Sequence, residues 1–331
     1  MPRKSSSAEF RFIDLFAGIG GLRIPFDELG GRCVFTSEID QAARATYQQN
    51  FGPEDIDEDI VACDKSAIPE HDLLLAGFPC QPFSQAGLRE GFGDPTRGTM
   101  FFEIMQVVRF HEPAVVLLEN VKGLTHHDGG RTMSVIERML DSPADESPGY
   151  WIRAKVLNAL DFGLPQNRER IYIVALRKDL FRSSDFDFPE PPRDETRVGS
   201  VLEDRVDQSF TISDRLWAGH QRRQASHQAR GNGFGFGVFG PEDAYTYTLL
   251  ARYYKDGREI LIDQGPERNP RKITPREAAR LQGFPEDFVV HPSKTQAYRQ
   301  FGNAVPVPVV RAIAQTLVPV MRKRVRSASG A

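Results

Sequence analysis

Short runs of apolar residues recur along the first half of the chain and alternate with amphipathic stretches. We predict buried strands at residues 10–16, 32–39, 71–77, 113–119 and 170–176. Amphipathic helices are predicted at residues 100–110 and 132–140. Strands that are apolar throughout and alternate with helices are typical of a parallel sheet that is covered on both faces. The pattern therefore predicts an α/β fold.

The alternation breaks near Phe181. Residues 182–210 are charged and rich in proline, and residues 231–240 alternate glycine with apolar side chains. Residues 245–254 and 259–263 have the composition of strands. Helix returns at residues 274–282, with Thr274 as the N-cap and Pro275 at the first helical position, and again at 309–325. We predict a smaller, irregular, β-rich unit inside the second half.

Composition narrows the class of protein. With 331 residues, 40% hydrophobic and 26% charged, the chain has enough apolar material for a sizeable core. The net charge is −3, yet residues 215–280 contain twelve Arg or Lys against seven Asp or Glu. An acidic body with one basic segment is compatible with a nucleic-acid partner on one surface.

The three cysteines, at positions 33, 63 and 80, argue against a disulfide framework and for a reducing compartment. The apolar runs are too short to span a membrane, and residues 1–8 lack the apolar centre of a signal peptide. We therefore expect a cytoplasmic protein without a membrane partner, and we predict no metal site.

The first motif, Asp-Leu-Phe-Ala-Gly-Ile-Gly-Gly at residues 14–21, follows the first strand. Its glycines allow a sharp turn and a close approach of a ligand to the backbone. Glu38 ends the second strand, where a carboxylate can accept hydrogen bonds from ribose hydroxyls, and Asp59 is a candidate for an adenine amino group. A plain strand–turn–helix and a nicotinamide dinucleotide site are the alternatives, although the glycine spacing departs from the dinucleotide fingerprint.

The second motif, Gly-Phe-Pro-Cys-Gln-Pro-Phe-Ser at residues 77–84, follows the third strand. It brings Cys80 to the carboxyl edge of the sheet, where ligands bind in this architecture, and Pro79 and Pro82 stiffen the loop. Cys33 lies within a strand and is expected in the core, whereas Cys63 follows Asp59 and is expected to be partly buried beside the ligand site. The alternative interpretation of Cys80 is an inert loop cysteine.

Two further motifs place charge at the same edge. Glu119 begins Glu-Asn-Val after the fourth strand, and Arg168 and Arg170 flank Glu169 just before the fifth. In an extended chain the two arginines face the same side and can orient a carboxylate. Alternatively, Glu119 is a surface partner of Lys122, and the arginines form salt bridges of the fold.

These four motifs, in this order, together with Gln-Phe-Gly-Asn-Ala-Val-Pro-Val at residues 300–307, resemble the DNA (cytosine-5)-methyltransferase family over residues 10–317. The resemblance implies an S-adenosylmethionine-dependent, Rossmann-like methyltransferase sheet and a smaller target-recognition domain. It implies a cofactor site formed by Phe16, Gly18, Gly20, Glu38, Ile39, Asp59, Pro79, Met100 and Asn303. Ile39 replaces a tryptophan of some relatives, so adenine packing there is expected to be weaker.

The resemblance also implies how the chain divides. Residues 9–187 plus 293–331 correspond to the catalytic domain, and residues 188–292 to the target-recognition domain and its return hinge. The recognition segment resembles the Dcm-type branch, whose members methylate the inner cytosine of sites such as CCWGG, with related enzymes at CCGG. Candidate DNA contacts are Gln81, Ser84, Arg89, Thr248, Arg252, Tyr253 and Lys255.

In the implied chemistry, the target cytosine is flipped out of double-stranded DNA. Cys80 attacks C6, Glu119 supplies a proton at N3, and C5 accepts the methyl group. Arg168 is expected to contact the cytosine carbonyl oxygen and to hold Glu119, with Arg170 stabilising the same cluster. We expect a nucleoid-associated monomer with a cognate restriction endonuclease; a tRNA cytosine-5 methyltransferase and a catalytically silent DNA-binding regulator are the alternatives.

Overall fold

A six-stranded sheet forms the centre of the molecule. The structure, a computed structural model, describes residues 9–53, 55–79, 100–143, 147–231 and 235–329, the last six of these by their backbone only. The strands of the sheet are β1 (Phe10–Leu15), β2 (Gly31–Ser37), β3 (Leu73–Gly77), β4 (Val115–Val121), β5 (Tyr150–Asn158) and β6 (Glu169–Arg177). Their order across the sheet is β2-β1-β3-β4-β6-β5.

The predicted parallel arrangement is confirmed for the first four strands and is wrong for the fifth predicted one. Strands β1 to β4 run parallel, whereas β6 pairs antiparallel with both β4 and β5. Strand β5 was not predicted, because it lies at the sheet edge and exposes Trp151, Arg153 and Ala154, so that it lacks a continuous apolar run.

Helices cover both faces of the sheet. They are α1 (Arg23–Glu28), α2 (Gln41–Phe51), α3 (Met100–His111), α4 (Arg131–Asp141) and the long C-terminal α8 (Val307–Ser329). Alternate strand residues point to opposite faces. Leu75 therefore packs in the cluster that contains Ile313 of α8, whereas Leu74 packs in the cluster that contains Ile104 of α3.

Residues 294–323 form the one stretch in the described part of the chain that is long and apolar enough to cross a membrane. Of the 18 residues that meet this criterion within it, 56% are buried inside the protein. Val309, Ile313 and Leu317 are fully buried against the central sheet. The stretch is thus packed as core helices of a globular fold.

The second half contains a smaller three-stranded sheet, of β7 (Val238–Phe239), β8 (Leu261–Ile262) and β9 (Arg271–Lys272). Helices α5 (Asp214–Ala229), α6 (Pro275–Leu281) and α7 (Lys294–Asn303) accompany it. The predicted start of α6 is confirmed, since Thr274 and Glu277 form a reciprocal capping box. The predicted strand at residues 245–254 is wrong: residues 251–256 form turns. Helix α5 was not predicted.

A third apolar cluster joins the two halves of the chain. Ile19 and Ile24, which follow β1, share it with Tyr253 and Phe301 from the second half. Helix α7 also packs beside α2, where the Thr46 hydroxyl donates to Gln300 Oε1 at 3.1 Å. The late segment is therefore held against the turn that follows β1.

Candidate functional site

The glycine-containing turn after β1 holds the carboxylate at the end of β2. Phe16 and Gly18 both adopt a φ of 55°, which turns the chain away from the sheet. The Gly18 N–H donates to Glu38 Oε2 at 2.8 Å, and the Asp40 N–H donates to Oε1 at 2.8 Å. A carboxylate has further lone pairs on both oxygens, so Glu38 is fixed in place and still able to accept hydrogen bonds.

A cavity of about 640 Å³ opens above this turn at the carboxyl edge of the parallel strands. Eight of the nine residues predicted for the cofactor line it: Phe16, Gly18, Glu38, Ile39, Asp59, Pro79, Met100 and Asn303. Ile39 is 74% exposed, so an apolar side chain is available to a planar ligand at the rim.

Gly20 is the exception. It does not line the cavity, and a Cβ built on it would lie 2.2 Å from Cε2 of Phe51. The glycine is therefore required for packing of the turn against α2. Its neighbour Gly21 lines the cavity instead.

Glu119 lies at the end of β4, beside Gly77 of β3, and its side chain borders the same cavity. Burial raises the pKa of this carboxyl group, and the charges of Arg170 and Arg168 oppose the rise. Arg170 Nε is 3.1 Å from Glu119 Oε1. Lys122, the alternative partner, pairs with Glu169 at 2.8 Å instead. The surface interpretation of Glu119 is thus excluded.

Arg168 makes a different set of contacts from the predicted one. Its side chain is buried, and its two Nη groups donate to three backbone carbonyls: Leu249 O at 2.9 Å, Gly302 O at 3.0 Å and Ala304 O at 2.8 Å. The prediction that Arg168 holds Glu119 is wrong, because that ion pair belongs to Arg170. Arg168 nevertheless lines the cavity, and its Nε has no hydrogen-bond partner in the described part of the chain.

Asn120 was not predicted as a site residue. Its Nδ2 donates to the Phe78 carbonyl at 2.9 Å, and its Oδ1 accepts from the Val121 N–H at 2.8 Å. Phe78 and Pro79 line the cavity and directly precede Cys80. Asn120 therefore anchors the approach to the cysteine motif, and its position within Glu-Asn-Val was the available signal. Cys80 itself lies outside the described residues, as do Gln81, Ser84 and Arg89.

The DNA contacts predicted in the second half differ in their exposure to solvent. Tyr253 is fully buried, donates to Ile260 O at 2.6 Å and accepts from the Ile273 N–H at 2.9 Å. It is a core residue, and its prediction as a groove contact is wrong. Arg252 and Lys255 are exposed.

Thr248 is half-buried and reaches back to the first half of the chain. Its hydroxyl donates to Asn167 O at 2.6 Å, next to Arg168. Thr248 thus helps Arg168 to join the segment before β6 to the second half.

Comparison with known proteins identifies the family. Residues 10–318 match the profile of the C-5 cytosine-specific DNA methylases. The Type II methyltransferase M.NlaX of Neisseria lactamica is 56% identical over 310 residues, which cover 93% of this chain and 96% of the relative. M.DsaV of Dactylococcopsis salina is 53% identical, over 94% of this chain and 86% of the relative. The DNA-cytosine methyltransferase of Escherichia coli K12 is 41% identical, over 96% of this chain and 79% of the relative.

Solved structures show the same fold at lower identity. A DNMT2 variant of Spodoptera frugiperda superposes with a TM-score of 0.73 at 22% identity, covering 93% of this chain and 99% of that one. The DNMT2 of Schizosaccharomyces pombe (S. pombe) gives 0.72 at 23%, covering 94% and 99%. Because the profile spans nearly the whole chain and two of these relatives are more than half identical to it, the chain belongs to the C-5 cytosine-specific DNA methylase family and is a bacterial-type DNA (cytosine-5)-methyltransferase that uses S-adenosylmethionine.

Proposed function

We propose that this methyltransferase uses Cys80 as its nucleophile, Glu119 as its proton donor and Arg168 and Arg170 as orienting groups. The observation that carries the proposal is the buried carboxyl group of Glu119, which faces the cavity that the cofactor residues line. Pro79, the residue before Cys80, lines the same cavity. A thiol, a carboxyl group and a methyl donor are the three groups that this reaction needs at one base.

The cavity fits S-adenosylmethionine. Its volume of about 640 Å³ is in the range of small-molecule sites. Glu38 offers a fixed carboxylate for the ribose hydroxyls, Ile39 an apolar surface for the adenine and Asp59 an acceptor for the adenine amino group. A Cβ at Gly18 would meet no atom within 4 Å, so the backbone there is open to a ligand. When bound, the cofactor supplies a methyl group on a positively charged sulfur.

Cys80 performs the covalent step. C5 of cytosine is a poor nucleophile while the ring is aromatic. Addition of the Cys80 thiolate to C6 forms a C–S bond and moves the electron pair of the C5–C6 double bond into the ring, so that C5 becomes nucleophilic. After C5 has gained the methyl group, a base removes the C5 proton. The double bond then re-forms and the C–S bond breaks.

Glu119 relieves the negative charge that develops on the cytosine ring. Attack at C6 pushes electron density toward N3, where a protonated carboxyl group relieves it. Burial raises the pKa of Glu119 and so favours its protonated form. Arg170 holds one oxygen of the carboxyl group through its Nε. Arg168 lines the cavity, and its Nε–H is buried without a hydrogen-bond partner among the described residues; we assign this group to the cytosine carbonyl oxygen.

The packing of the C-terminal helix and the lining of the cavity support a division into two domains. Residues 9–187 with 293–331 form the catalytic domain, because α8 packs on the central sheet and Asn303 lines the cavity. Residues 188–292 form the recognition domain and its return hinge. The shared apolar cluster supports a close attachment between the two. We propose that the enzyme acts as a monomer at the nucleoid, with Arg252 and Lys255 as exposed candidates for DNA contact.

The target is the inner cytosine of a short site that begins with two cytosines, such as CCWGG or CCGG. The support is the resemblance of the recognition segment to the Dcm-type branch. Relatives at 51–56% identity carry the name Type II methyltransferase, which supports a cognate restriction endonuclease for the same site.

Bisulfite sequencing of plasmid DNA from cells that express the chain tests this proposal. We expect protection of one cytosine in a single short motif of that kind. Methylation confined to motifs without adjacent cytosines would refute the site. A parallel assay with labelled cofactor is expected to label duplex DNA and to leave tRNA unlabelled.

A further inference from the structure

Helix α5 lies just before the smaller sheet in the chain. None of the sequence motifs assigns it a role. It spans 16 residues, or roughly 24 Å. Ser213 caps its first turn by accepting the Leu216 N–H at 3.3 Å. From Arg215 to Arg230 the sequence contains four arginines and two histidines and no acidic residue.

One face of α5 anchors the helix. Trp217 packs on Phe236 with ring centroids 4.7 Å apart, and His220 lies 6.2 Å from the same ring. Arg223 adds an ion pair with Asp256 at 3.2 Å. These positions recur every three residues, which places them on one side of the helix. The rest of the helix surface therefore points away from the protein.

The opposite face is exposed and carries no acidic side chain. Its exposed members are Arg215, Gln221, Arg222, Ala225, Ser226, Gln228 and Ala229. Arg215 and Arg222 are seven residues apart, which puts them on the same side about 10 Å from each other. The side chains of the alanines and the serine beside them are small, so they protrude little from the helix. We call these seven residues the α5 face.

The charges on the α5 face are unpaired. No ion pair or hydrogen bond in the described part of the chain involves the guanidinium of Arg215 or Arg222. Two aligned arginines without carboxylate partners form a local positive surface that an external anion can neutralise.

We propose that the α5 face is a docking surface for duplex DNA, with Arg215 and Arg222 as its phosphate contacts. A helix of this kind fits the major groove of B-DNA, which is about 12 Å wide. The small alanine side chains beside the arginines allow close approach, and the glutamine and serine side chains can donate or accept hydrogen bonds. The inference rests on the DNA substrate of the enzyme and adds a specific element to its recognition region.

The test is the salt dependence of binding. The probe is a 30-base-pair duplex taken from around a cytosine that the parent enzyme methylates in plasmid DNA, with S-adenosylhomocysteine present. Fluorescence anisotropy measures Kd between 50 and 200 mM salt for the parent and for the double variant Arg215→Gln with Arg222→Gln. Each lost phosphate contact lowers the slope of log Kd against log salt by about 0.9, so the double variant is expected to lose about 1.8. Its Kd at 150 mM salt is expected to rise at least about tenfold.

The matched control is Arg138→Gln, which removes an exposed arginine from helix α4 of the central fold. It is expected to keep the parent slope. The thermal midpoint and the affinity for S-adenosylhomocysteine report on folding and on the cofactor site, and both are expected to be unchanged in the double variant. A double variant that binds the duplex with the parent slope and affinity would overturn the proposal. Because the parent's methylation and binding are measured alongside, that result is distinct from a failure of the enzyme assignment.

Discussion

Replacing Arg168 by methionine tests whether this side chain holds the site together. Methionine keeps a long unbranched stem and removes every donor. The change deprives the carbonyls of Leu249, Gly302 and Ala304 of their partners, at distances of 2.9, 3.0 and 2.8 Å in the parent. Leu249 lies in the recognition region, Gly302 in the last turn of α7 and Ala304 directly after that helix, so one side chain joins the segment before β6 to all three.

The magnitude follows from these three bonds. A hydrogen bond from a charged donor contributes about 1.5–3 kcal/mol, and a buried carbonyl without a partner is costly. Removing the guanidinium also removes its own desolvation cost, which burial makes substantial and which lowers the pKa of Arg168 to about 9. Together the terms predict a loss of about 4 kcal/mol in the free energy of unfolding, which is large for a single substitution.

Urea denaturation at pH 7 measures this loss, and Arg177→Met is the matched control, at the far end of strand β6, which Arg168 directly precedes. Arg177 donates to one backbone carbonyl, Glu112 O, and forms an exposed ion pair with Asp179. Its replacement is expected to cost about 1 kcal/mol. With a denaturant slope of about 3 kcal/mol per molar, Arg168→Met shifts the midpoint by more than about 1 M. Equal midpoints for Arg168→Met and the parent, with activity lost, would show that Arg168 acts only on the substrate.

Three further predictions concern single titratable groups. Cys80→Ser is expected to abolish turnover and to leave DNA binding within about twofold, by gel-shift titration; full methylation by that variant would contradict the nucleophile. Glu119→Gln is expected to slow methyl transfer at least about 100-fold in single-turnover assays. The rate of the parent enzyme is expected to fall as pH rises through the raised pKa of Glu119, because only the protonated carboxyl group donates. A rate that does not change with pH would count against this role of Glu119. Burial lowers the pKa of His71 to about 4, so the folded protein disfavours its charged form, and stability present above pH 6.5 is lost as pH falls toward 4. Between pH 7 and pH 5 the loss is about 2 kcal/mol, and His71→Gln is expected to show a smaller drop in the urea midpoint over that interval.

The strands and most site residues could be predicted because each leaves a local signal. Continuous apolar runs marked β1 to β4, and the polar residues at their carboxyl ends converge on one cavity, as parallel strands require. Glu38 and Glu119 fell at the predicted edge for this reason. The direction of β6 was not predictable, because pairing direction depends on the connection through β5 rather than on composition.

The errors have a common physical origin. Tyr253 and Arg168 are polar side chains whose hydrogen bonds go to backbone groups distant in sequence, such as Ile273 N and Gly302 O. Sequence spacing does not reveal such partners, so Tyr253 was interpreted as a groove contact and Arg168 as the partner of Glu119. Helix α5 was missed because its exposed face carries no apolar period of its own.

The central claim is that a cysteine thiolate and a protonated carboxyl group act on one flipped cytosine. The most direct measurement uses a duplex in which 5-fluorocytosine replaces the target base, because fluorine cannot leave as a proton does. With S-adenosylmethionine present, we expect a covalent protein–DNA complex that mass spectrometry maps to Cys80 and that forms much more slowly in Glu119→Gln. Normal methylation of ordinary duplex together with no such complex, or a complex mapped to another residue, would contradict the account.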